Sequence, residues 1–72
     1  MKFFKMRIQN LHTGIVEEII IRANSKSEAK NQATKIFMAN SLACKILEAS
    51  KDKNATEEQA QRSIANLVYR NY

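Results

Sequence analysis

The chain has 72 residues, 44% hydrophobic and 26% charged, and its twelve Lys and Arg against seven Asp and Glu give a formal net charge of +5. That composition excludes a disordered chain, and the length excludes a second domain, so residues 1–72 are expected to form one domain on a thin core. The positive balance favours acidic or polyanionic partners through long-range attraction. So small a core also makes docking on a partner, or pairing as a homodimer, a natural source of added stability.

Residues 2–10 alternate, with Phe4, Met6 and Ile8 on one face and Lys5, Arg7 and Gln9 on the other. Period two is the mark of a half-buried strand. The segment "NLHTG", 10–14, holds the only glycine, placed where a turn needs a positive φ. Residues 15–23 resume the strand. Ile19, Ile21 and Ala23 face one way, while Glu18, Ile20 and Arg22 face the other. The two runs predict an antiparallel hairpin.

Ser25 followed by Glu28 is an S-x-x-E capping box, which starts a helix near Lys26 and lets it run to about Asn40. Ala29, Ala33, Ile36 and Phe37 make its apolar stripe. The two alanines let the helix axis lie close over the bulky isoleucines of the hairpin, and Phe37 fills the wider end. Lys30, Asn31, Thr34 and Lys35 remain on the solvent side. Residues 42–49, "LACKILEA", fit either a third strand or a helix, since Leu, Ala, Lys and Glu all favour helix. The strand is preferred, because a lone hairpin with one helix is marginal. Residues 50–54 form a polar loop. Thr56 with Gln59 is a second capping box, opening a helix with Ala60, Ile64, Leu67 and Val68 in one stripe. The predicted fold class is α+β, in the order β-β-α-β-α.

The single Cys44 rules out an internal disulfide and suits a reducing, cytoplasmic setting. The start "MKFFKMRIQN" is too short and too broken by charge for a secretory signal. No apolar run approaches the roughly 20 residues of a membrane span. The glycosylation sequon at 54–56 has no expected use without export.

Catalysis needs a base or nucleophile supported by a partner. His12 is the only histidine and falls in a turn. Glu17 and Glu18 are adjacent, so a strand sends them to opposite faces. Glu57 and Glu58 sit in the first turn of a helix, where carboxylates complement the dipole. No metal-ligand spacing or glycine-rich phosphate loop occurs, and no cofactor is expected. Cys44 lies in an apolar run as a small core residue, with Lys45 pointing to the opposite face. The expectation is a binding protein and not an enzyme.

Two basic surfaces then compete. The outward hairpin face combines Phe3, Lys5, Arg7, Ile20 and Arg22, the mixture of ring and cation that suits single-stranded nucleic acid. Alternatively the last helix covers this face and hides Phe3 and Ile20, since a helix with an apolar stripe must pack somewhere. Tyr69 and Tyr72 near the C-terminus are more in keeping with packing or solubility than with stacking. The other surface is the first helix, with Lys26, Lys30 and Lys35.

The pattern formed by Ile21, Ala23, Ser25, Ser27, Ala29, Lys30, Ala33 and Lys35, continued at the same spacing by Lys45-Ile46-Leu47-Glu48, resembles a small phage-encoded type I-F anti-CRISPR family. The resemblance covers roughly residues 15–48. It implies a small α+β domain in the cytoplasm of a host cell that binds a CRISPR-Cas effector complex and blocks target DNA, partly through lysines of this helix. Lys30 and Lys35 match by position. Asn31 stands where the family has a basic residue, and the helix over 55–72 departs from the further strands of that family. The resulting partner-binding set is Lys30, Lys35, Asn31, Lys26 and Arg22. A direct DNA- or RNA-binding module using Phe3, Lys5 and Arg7 is the alternative, and a structural or oligomerising protein the third.

Overall fold

The computed structural model describes residues 2–39 and 41–70, residues 68–70 by backbone alone. Its elements are β1 (Lys2–Asn10), β2 (Val16–Ala23), α1 (Lys26–Ala39), β3 (Cys44–Lys51) and α2 (Glu57–Arg70). The expected α+β architecture and its β-β-α-β-α order are both present. All three strands form one antiparallel sheet in the order β2-β1-β3. The first strand is therefore the central one, and α1 carries the chain across it to the far edge.

Alternation does what the hairpin pattern required. Phe4, Met6, Ile8, Ile19, Ile21 and Ala23 are buried together on one face of the sheet. The turn is built by Asn10, whose side-chain Oδ1 accepts the His12 N–H at 2.8 Å and the Thr13 N–H at 3.3 Å. Its backbone carbonyl takes the Gly14 N–H at 2.7 Å, and its own N–H donates to the Ile15 carbonyl at 2.9 Å. Gly14 stands at φ 78°, the left-handed region that costs a side chain most.

Helix α1 lies on the buried face. Ala29, Ala33 and Phe37 are fully enclosed, and Ile36 packs against the same cluster. Burying a side chain the size of Phe37 contributes on the order of 1.5–3 kcal/mol. Ser25 caps the helix by accepting the Glu28 N–H at 3.2 Å. The Glu28 carboxylate takes a hydrogen bond from Gln32 at 3.1 Å. At the other end the Leu42 N–H reaches back to the Phe37 carbonyl at 2.8 Å, and the Ser41 N–H to the Met38 carbonyl at 3.0 Å. Ser41 has φ 58°. This is a Schellman cap, with serine where glycine is usual.

That cap explains why the third strand begins later than its composition suggested. Leu42 belongs to the helix stop and packs against the core, so pairing starts where Cys44 meets Asn10. It also runs on into the segment expected to be loop, because Ser50 and Lys51 find Lys5 and Phe4 as partners. The register shifts between Arg7 and Ile8, which leaves Leu47 unpaired in a bulge. Cys44, Ile46 and Ala49 reach the core on either side of it, and Leu47 is exposed.

Helix α2 has a full reciprocal box. The Gln59 N–H donates to Thr56 Oγ1 at 3.3 Å, while the Thr56 N–H donates to Gln59 Oε1 at 3.1 Å. Ala60 and Leu67 are buried and Ile64 packs on the core; the Val68 side chain lies outside the described residues. The helix packs chiefly against β2. Ser63 Oγ accepts the Ile20 N–H at 2.9 Å, so one helical hydroxyl fills a position where a fourth strand would otherwise bond. The helix does not blanket the outer face of the hairpin; it occupies the free edge of β2. At the opposite edge β3 has Lys45, Lys51 and the Leu47 bulge, features that discourage a further strand from pairing.

Candidate interaction surfaces

The sequence-derived candidates separate onto two sides of the sheet. Lys26, Lys30, Asn31 and Lys35 are all exposed on α1. At about 100° per residue, Lys26 and Lys30 share one i,i+4 ridge and Asn31 and Lys35 the next. Lys30 and Lys35 thus flank the outward face, with Asn31 and the half-buried Thr34 between them. The only carboxylate on this helix is Glu28, half-buried and engaged by Gln32. The face is cationic without compensation.

Arg22 does not join them. It lies on the other side of the sheet, where its guanidinium meets Glu57 of α2 at 3.0 Å. Phe3, Lys5 and Arg7 share that side, with Phe3 and Ile20 half-buried and Lys5 and Arg7 exposed. The strand order adds what the hairpin alone did not reveal. Arg7 is opposite Glu18 on β2 and opposite Glu48 on β3, so the middle of this face is a carboxylate–guanidinium–carboxylate row. Arg7 and Glu48 approach to 3.9 Å. A phosphate approaching Arg7 would meet two flanking negative charges. Lys5, between Ile20 and Ser50, is the uncompensated cation at the centre.

A division of labour follows. Arg7, Arg22 and Arg62 each pair with a glutamate, whereas no lysine among the described residues forms an ion pair. Compact ammonium groups on long stems are left for solvent or a partner, while these three planar guanidinium groups each face a carboxylate of the fold.

The remaining chemistry-bearing residues are scattered. His12 is exposed in the turn, and Glu17 is buried while Glu18 is exposed, as alternation demands. Burial pushes the Cys44 thiol up from its ordinary range, which lowers its thiolate content. Among the described residues no three of His, Cys, Asp and Glu converge on a common point. No helix among them is long and apolar enough to cross a membrane. The side chains of Tyr69 and Arg70, and the whole of Tyr72, lie outside the described residues. Comparisons with family models, curated proteins and solved structures returned no match.

Proposed function

We propose that this protein is a small basic inhibitor, encoded by a phage or another mobile element, that acts in the host cytoplasm. It docks the lysine face of α1 onto a CRISPR-Cas surveillance ribonucleoprotein and obstructs its nucleic-acid path. The observation that carries this reading is the set Lys26, Lys30 and Lys35, exposed along one helix and free of ion pairs among the described residues. The resemblance over residues 15–48 supports the partner class. Direct binding of nucleic acid through the opposite face is disfavoured by Glu18 and Glu48 on either side of Arg7.

The test compares two charge-reversed proteins of equal net charge. Lys30→Glu with Lys35→Glu is expected to weaken binding to a purified surveillance complex by about 2 kcal/mol or more, because a buried contact loses attraction and gains repulsion. The fold should survive, since exposed substitutions of this kind usually stay within about ±0.5 kcal/mol. Lys51→Glu with Lys53→Glu is the control. Equal losses from both pairs would reduce the effect to net charge. Salt-dependent binding of the wild type to bare DNA or RNA, with no affinity for the ribonucleoprotein, would transfer the reading to a nucleic-acid module.

A further inference from the structure

Charge in this molecule is distributed along its length. Residues 8–16 and 36–44 contain no Lys, Arg, Asp or Glu, although such residues make up 26% of the chain. The fold brings these two segments together. Asn10 pairs with Cys44 across the sheet, and the Leu11 N–H donates to the Ala43 carbonyl at 2.9 Å. They form one end of the long axis, because the nine residues of β1 at roughly 3.4 Å each account for most of its 31 Å.

This end is also where the apolar surface lies. Leu11 and Ile15 are each 56% exposed, Val16 39% and Met38 69%, and only Leu47 among the described large hydrophobic side chains is comparably open elsewhere. The turn that carries Leu11 and Ile15 is fixed. The N–H groups of residues 12 to 15 are all satisfied locally, by Asn10 and by Thr13 Oγ1, which takes the Ile15 N–H at 3.2 Å. Apolar groups on a pre-organised turn lose little freedom on docking. Lys35 and Lys45, both exposed and without ion pairs, border the two segments, whereas of the bordering acids Glu17 is buried and Glu18 faces Arg7.

We propose that this end is a docking tip for a folded protein partner presenting an apolar pocket with an acidic rim. A second copy fits poorly. The whole molecule is only 21 × 18 Å across its long axis, an elliptical section of roughly 300 Å² that caps what one end can offer, against about 800 Å² per partner in a stable interface. Two such ends would also set Lys35 and Lys45 against their like. A membrane fits no better, because the tip offers no Trp, Tyr or Phe among its exposed side chains, the usual anchors at a lipid interface. Insertion into a concavity recovers through the sides of the tip the area that a flat contact lacks.

The experiment places a photo-reactive amino acid at position 11 of the full chain in the cell that makes it, with position 53 as control. The expected result is a protein adduct formed from 11 and not from 53. That protein, purified, should bind the wild type, and Leu11→Gln with Ile15→Gln should weaken binding at least tenfold without changing the melting temperature. Adducts confined to lipid or to a second copy of the chain overturn the proposal, as do equal yields at the two positions. So does a crosslinked protein whose affinity ignores the double substitution. Positions 11 and 15 lie outside α1 and its lysines are unaltered, so the outcome is separate from that of the charge-reversal test.

Discussion

Ser63→Ala isolates the contact that attaches α2 to the sheet. Serine is a poorer helix former than alanine by a few tenths of a kcal/mol, so helix propensity alone predicts a gain of roughly 0.5 kcal/mol. The geometry predicts the opposite sign. The hydroxyl accepts the Ile20 N–H at 2.9 Å, and its own proton is within reach of the Ala60 carbonyl at 2.8 Å and the Ile20 carbonyl at 3.4 Å. Removing it leaves the Ile20 N–H without its acceptor in a partly buried seam, a penalty of about 1–3 kcal/mol. Offsetting the propensity gain, the net loss should be about 1–2 kcal/mol, a fall of roughly 4–16 °C in Tm for a domain of this size. Urea and thermal melts followed by circular dichroism give the magnitude, and hydrogen exchange at the Ile20 amide gives the location. Gln61→Ala, exposed on the same helix, is the control and should change stability by less than about 0.5 kcal/mol. A Ser63→Ala protein at least as stable as the wild type, with unchanged exchange at Ile20, would refute the edge contact.

Further outcomes follow from the packing. Ala33→Leu should overpack the seam between α1 and the sheet and cost about 1–3 kcal/mol in a denaturant melt; a neutral result would mean the helix stands further off. Ser41→Gly should raise stability by about 0.5–1 kcal/mol, since relief of left-handed strain outweighs the extra freedom of glycine in the unfolded chain. Alkylation of Cys44 should be slower than that of a free thiol at mildly alkaline pH and recover in urea. Because burial raises the thiol's pKa in the folded state, the wild type should also lose stability, relative to Cys44→Ala, as pH rises through the ordinary thiol range.

The hairpin was legible because alternation and a single glycine leave few other solutions. Ser25 and Thr56 announced both helix starts through the chemistry of their side chains. The end of α1 was harder to see, since a left-handed serine gives no compositional signal, and Leu42 looks the same as a strand residue and as a cap contact. The apolar stripe of α2 required that it pack, but only the strand order showed where. The candidate surfaces divide along the same line. Local periodicity put Lys30, Asn31 and Lys35 on the solvent side of α1, whereas the neutralisation of Arg7 depends on Glu48, 41 residues away and aligned only by the β1–β3 register.

The seat of α2 on the β2 edge also sets an order of events during synthesis. Strand β2 emerges from the ribosome well before residues 57–70, and β1 occupies only one of its two sides. Until the helix follows, that second side is an open row of hydrogen-bonding groups, the template on which strands of neighbouring chains add. A chain cut short between β3 and α2 would therefore have all three strands and an unguarded margin. The helix that completes the domain is also its protection against its own sheet.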